Sequence, residues 1–144
     1  MNESTREALE LTEAAALGAA ILSADARAGI VGALTPDAFL REAHRAVFEA
    51  VAAMHAAGEH VDQITVNDQL ASTGKLDEVG GLVAVFELTD PLACPSPAAW
   101  PTYATIVARE ARRRRGIRTL QRAIERLEAG EDPAIVSAEL AVSA

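Results

Sequence analysis

The clearest periodicity in the chain lies between Glu42 and Ala57. There Ala43, Val47, Ala50, Val51 and Met54 fall on one face of a 3.6-residue repeat, and Gly58 follows where a helix would end. The pattern predicts a helix, and Ala43, Val47, Phe48, Val51 and Met54 are its candidate core. Upstream, Leu11, Ala14, Leu17 and Ile21 recur at helical spacing, while Ser4 with Glu7 three residues on reads as a capping box, so a first helix is expected to end near Ser23. Residues 25–34 predict a short second helix, and Thr35-Pro36-Asp37 then sets an N-cap ahead of a proline at a first helical position. The stretch Val61 to Val66 resembles a strand, but Thr65 as N-cap, Leu70 and a terminating Gly74 argue for a short helix. Gly80-Gly81 breaks the chain before a further apolar run, Leu82 to Leu88.

Prolines at 91, 95, 97 and 101 exclude a helix interior and predict a rigid connection. From Tyr103 the chain can run helical to about Ala129, where Gly130 and Pro133 end it, and a shorter amphipathic piece follows from Ala134 to Ala141. Two helices joined by Gly-Glu-Asp-Pro make a helical hairpin. The expected fold is all-α: a compact multi-helix head over residues 1–95, then a linker helix and helical hairpin over residues 96–144.

Composition sharpens this picture. Half of the 144 residues are hydrophobic but only 3% are aromatic, so the core must be built from Ala, Leu, Val and Ile, which suits closely packed helices. No run approaches the roughly 18 uncharged apolar residues that span a bilayer, and no basic segment leads from Met1 into an apolar stretch, so a cytoplasmic location without membrane contact is expected. A lone cysteine, Cys94, excludes an internal disulfide or a Cys-based zinc cage and reads as a loop thiol. His44, His55 and His60 lack the spacing of metal ligands. Gly80-Gly81 lacks the Lys and Ser/Thr of a phosphate loop, so no ATP hydrolysis is expected, and no cofactor or catalytic group is indicated.

The net charge of −8 is unevenly placed. Residues 1–108 hold five basic and fifteen acidic side chains, net −10, whereas residues 109–144 hold eight basic and six acidic, net +2. On a wheel of about 100° per residue, Ile106, Ile117, Leu120, Ile124 and Leu127 fall on one side of the tail helix. Arg112, Arg115, Arg118, Arg122 and Arg126 gather on the other. This arginine stripe has three readings: a solvated helix face, a protein-contact surface that includes the acidic head of a neighbouring copy, or a nucleic-acid grip. The last is the weakest, because no aromatics interleave the basic residues as stacking platforms and the head repels phosphate.

Several segments, read in order, resemble the N-terminal domain of DnaB-type replicative DNA helicases. LTEAAALGAAIL (Leu11 to Leu22) matches the family's first helix, with Glu13, Leu17 and Gly18 at recurring positions. LTPDAFLREAHRAVFEAVAAMHAAGEHVD (Leu34 to Asp62) is the strongest match, through Leu34, Pro36, Phe39, Ala43-His44-Arg45, Phe48-Glu49-Ala50, Gly58 and Asp62. VNDQLASTGKLDEVGG continues it, and Pro95-Ser96, Tyr103-Ala104 and Ile106-Val107 match the entry to the family's linker helix. The resemblance runs from about Leu11 to Leu127. It departs at Arg112 to Arg115, where the family usually carries leucines, at Leu40-Arg41-Glu42, where the family has an aromatic and Asp-Pro, and at Trp100-Pro101.

The resemblance implies a helical head and a hairpin that pairs with its copies into a collar, binding primase while a separate motor domain hydrolyses ATP. The expected function is therefore a noncatalytic oligomerisation and protein-interaction module of DNA replication. Ile117, Leu120, Ile124 and Leu127 are the expected self-association seam, giving a dimer or a higher even-numbered form. Arg112, Arg115, Arg118, Arg122 and Arg126 are the candidate contacts to a replicative helicase or primase. Two alternatives stay open: a freestanding regulator that docks on the replicative helicase, and a small DNA-binding protein that uses its arginine helix.

Overall fold

A computed structural model describes residues 1–143, which form eight α-helices and, among the described residues, no strand. The helices are α1 (Glu3–Leu22), α2 (Ala24–Ala33), α3 (Glu42–Ala56), α4 (Gln63–Ser72), α5 (Leu76–Val79), α6 (Leu82–Leu88), α7 (Trp100–Glu128) and α8 (Pro133–Ser143), with short 3₁₀ turns at Pro36–Ala38 and Pro97–Ala99. The all-α expectation holds. Compaction divides the chain into Met1–Glu110 and the residues from Ala111 onward, so α7 contributes its first turns to one unit and the remainder to the other.

Helix α1 is the central element of the first unit. Every residue from Ala15 to Ile21 is buried, as expected of a helix that is apolar all round. Its small side chains let neighbouring backbone come close: a Cβ on Gly18 would lie 2.1 Å from the Leu88 carbonyl oxygen and 2.9 Å from Cβ of Cys94. The end of α6 and the proline-rich connection therefore lie directly on α1. Cys94 lies in that connection, a loop thiol as expected, and is buried there, with its Sγ donating to the Ala15 carbonyl at 3.4 Å. Burial pushes its thiol pKa up.

Several local expectations shift for identifiable reasons. The cap of α1 is Asn2, whose side chain accepts from the Thr5 amide, rather than Ser4; Asn and Ser are equally able caps. Leu11 faces outward, 69% exposed, because the buried face of α1 instead runs through Leu9, Glu13, Leu17 and Ala20. Thr35 bonds to the Asp37 carboxylate without capping, and only a 3₁₀ turn forms behind Pro36. The N-cap of α4 is Asp62, three residues before Thr65, which is the third helical residue of a capping box: Asp62 accepts from the Thr65 amide at 2.8 Å and the Thr65 hydroxyl accepts from the Asp62 amide at 2.9 Å. α7 begins at Trp100, ahead of Tyr103, since Pro101 is well accommodated in a first helical turn.

Other features match the sequence closely. Val47, Phe48, Val51 and Met54 are each 2% exposed or less, and the Phe39 and Phe48 rings pack at 5.1 Å. Gly80 and Gly81 both adopt positive φ, 102° and 90°, which reverses the chain between α5 and α6. Arg27 closes α1 by donating to the Ala20 and Ile21 carbonyls, and reaches the Val61 carbonyl at 3.4 Å. Gly29 makes room for the only tryptophan: the Trp100 ring reaches to 2.0 Å of where a Cβ would stand.

Candidate functional site

In the second unit, α7 and α8 form the expected hairpin, and its buried contacts are small. Ala123 and Val136 are 7% and 2% exposed, and Arg126 locks the turn by donating through Nε and Nη2 to the Glu131 carboxylate at 2.8 and 2.9 Å, and through Nη1 to Glu139. This arrangement holds Glu131 below the ordinary carboxylate range and raises the Arg126 pKa. Arg126, counted from sequence among the partner contacts, is thus engaged within the hairpin. Glu131 lies within the Gly-Glu-Asp-Pro turn and Glu139 on α8, so the hairpin brings both carboxylates to Arg126 near the end of α7.

The face of α7 that meets α8 includes Thr119, Ala123 and Arg126. The apolar row of α7 lies elsewhere on the helix and is left open. Ile117, Leu120, Ile124 and Leu127 are 49%, 57%, 55% and 43% exposed, and Ile135 of α8, which the sequence did not single out, is 54% exposed. Four large aliphatic side chains at 3-4-3 spacing thus stand exposed along one face of α7. Arg112, Arg115, Arg118 and Arg122 are also exposed, on the far side of the helix from that row.

In the first unit, a groove of about 500 Å³ opens beside α1. Its apolar floor includes Leu11, Ala14, Val47 and Leu88, and its rim carries Glu7, Glu10 and Glu87 together with Arg41. His44 forms part of the wall, 4% exposed. Its Nδ1 lies 2.8 Å from Oε1 of the fully buried Glu13. The same carboxylate accepts from the Leu40 amide at 2.6 Å and, at longer range, from the Arg41 amide at 3.5 Å. Glu13 therefore anchors the segment that enters α3, a helix without a side-chain cap of its own, from another helix. His60 is elsewhere, 3.0 Å from Asp62 at the surface. Among the described residues no group of three or more His, Cys, Asp or Glu side chains is placed to hold a metal ion, and no helix is long and apolar enough to cross a membrane.

An all-helical unit with a polar pin at its centre, followed by a hairpin with an exposed apolar row, has close counterparts. The DnaB-like helicase N terminal domain family matches residues 7–109. The replicative DNA helicase DnaB of Geobacillus stearothermophilus is 39% identical over 107 residues, which are 74% of this chain and 23% of that protein. The crystal structure of the N-terminal domain of DnaB helicase from Mycobacterium tuberculosis superposes with a TM-score of 0.83 at 32% identity, over 90% of this chain and 91% of that one. A DnaB-like replicative helicase, solved for its interactions with primase, shares the fold at a TM-score of 0.67 and 21% identity, over 94% of this chain and 35% of that one. The chain thus spans less than a quarter of the length of the full helicase compared, and the match falls in its N-terminal, noncatalytic region. On this evidence the chain belongs to the DnaB-like helicase N-terminal domain family.

Proposed function

We propose that the chain is a noncatalytic oligomerisation and protein-interaction module of DNA replication that pairs with its copies through α7. The observation that carries this reading is the uncovered row Ile117, Leu120, Ile124 and Leu127, since α8 packs on a different face of the helix and leaves these side chains in water. Burying such a row against a second copy is favourable at about 25 cal/mol per Å² of apolar surface. An antiparallel or parallel pairing of two identical stripes is self-complementary, which gives a dimer or a larger form with an even number of copies.

A replicative helicase or a primase is the partner class that family membership supports, and one relative of the same fold has been solved for its interactions with primase. The exposed residues Arg112, Arg115, Arg118 and Arg122 supply a charged contact surface distinct from the apolar row. Light scattering, on the protein alone and after mixing with the replicative helicase and the primase of the same cell, tests the proposal. A self-associated species whose mass rises with either partner is expected; no shift with either partner would remove the replication role and leave the family likeness as one of fold.

A further inference from the structure

Gly116 stands in the interior of α7 for no reason that packing or backbone geometry supplies. A Cβ there would meet no atom within 4 Å, whereas one at Gly18 or Gly29 would collide, and Gly116 is not among the glycines with positive φ. An exposed glycine inside a helix costs stability relative to alanine and marks a common point of bending.

Its neighbours weaken the same turns. Residues 111–124 hold six arginines and no Asp or Glu. Arg112 and Arg115 are three apart, as are Arg115 and Arg118, while Arg118 and Arg122 are four apart, so like charges adjoin along the helix and repel. Neither Arg115 nor Arg118 has a carboxylate three or four residues away on either side. Tertiary support stops over the same span. Ala104, Val107 and Ala111 are buried, and so is Ala123, but no residue from Arg112 to Arg122 is. The division between the two compact units falls at Glu110 and Ala111, the edge of this span. A helix draws most of its stability from a packed face, and here that face is missing where charge and glycine already oppose the helix.

We propose that residues 112–116 are a salt-sensitive joint in α7, helical in the ground state but opening locally far more readily than the turns on either side, and stiffened when the arginine charge is screened. The joint lies between Ala111, the last buried residue of the first unit, and Ile117, where the apolar row begins. A bend there lets a head move while the paired row stays closed. That use rests on pairing through α7; the weakness of the segment does not.

Amide hydrogen exchange, resolved by residue and referred to the urea-unfolded chain at the same salt, tests the joint. At about 0.01 M salt the amides of Arg113 to Gly116 are expected to be at least about a hundredfold less protected than those of the buried Val107 and Ala123. Raising the salt to about 1 M shortens the screening length from roughly 30 Å to roughly 3 Å. Protection of the segment is then expected to rise about threefold or more, with that of Val107 unchanged. Gly116→Ala is expected to raise it about fivefold at either salt, and Arg115→Gln/Arg118→Gln to raise it at low salt and blunt the salt response. Protection equal to that of Val107 and Ala123, or a segment that ignores either the salt or Gly116→Ala, overturns the joint. Sedimentation of the same samples separates the two claims: a uniformly protected α7 in a dimer removes the joint and leaves the pairing, and a weak segment in a monomer removes the pairing and leaves the joint.

Discussion

The Glu13 carboxylate and Nδ1 of His44 meet at 2.8 Å across 31 residues of sequence, both side chains buried. The pair joins α1 to the first turn of α3 and, through Glu13, satisfies backbone amides of the segment that enters α3. Replacing Glu13 by Ala strands those amides and the ring nitrogen together, and is expected to cost about 3 kcal/mol or more in urea unfolding. Because both residues belong to one network, Glu13→Ala with His44→Ala is expected to lose less than the sum of the single changes, by about 1 kcal/mol or more. Additive losses would show that the two side chains act independently.

Close approach at two glycines sets a second expectation. A methyl at Gly18 meets the Leu88 carbonyl, which is backbone and can move only if α6 moves, and overpacking of this kind costs about 1–3 kcal/mol. A methyl at Gly29 meets the Trp100 ring instead. Gly29→Ala is therefore expected to be partly rescued by Trp100→Leu, whereas no single side-chain reduction rescues Gly18→Ala. Thermal melts of the four variants check the contrast.

The buried thiol gives a probe that needs no mutation. Cys94 is 3% exposed and its pKa is raised by burial, so the native protein is expected to react with a thiol reagent at least about a hundredfold more slowly than the urea-unfolded chain. Equal rates would place Cys94 at the surface.

Asp62 supplies a pH dependence. The Thr65 amide, with His60 adding to it, holds the Asp62 carboxyl below its ordinary value. A depressed carboxyl pKa contributes stability that is complete above the unfolded value, near 3.9, and is lost as the pH falls through the folded value. The stability gap between the wild type and Asp62→Ala is thus expected to be full at neutral pH and to narrow below about pH 4. A gap that does not change with pH would remove the ionised carboxylate from the cap.

How much of this was legible in the sequence follows from the range of each interaction. Periodicity located α3 and its core because Val47, Val51 and Met54 repeat within one helix, and Gly58 and Gly80-Gly81 marked ends through backbone chemistry local to each position. The start of α1 slipped by two residues because Asn2, Ser4 and Thr5 are all competent in a first turn. Glu13 with His44, Gly29 with Trp100 and Cys94 with Ala15 are long-range contacts, and no spacing rule reaches them. At the candidate surface, the rows on α7 were readable on a helical wheel. Which row α8 would cover was not, since Ala123 and Arg126 lie on the polar side by composition yet form the hairpin contact.

The central claim is that the row Ile117, Leu120, Ile124 and Leu127 holds copies together, and sedimentation velocity of the wild type beside Ile124→Glu at tens of micromolar tests it most directly. Ile124 is 55% exposed, so the substitution leaves the hairpin core of Ala123 and Val136 in place. The account predicts a wild type of at least twice the 15.1 kDa chain mass and a variant at the monomer mass with unchanged helical circular dichroism. A monomeric wild type, or a variant that assembles as the wild type does, would contradict it.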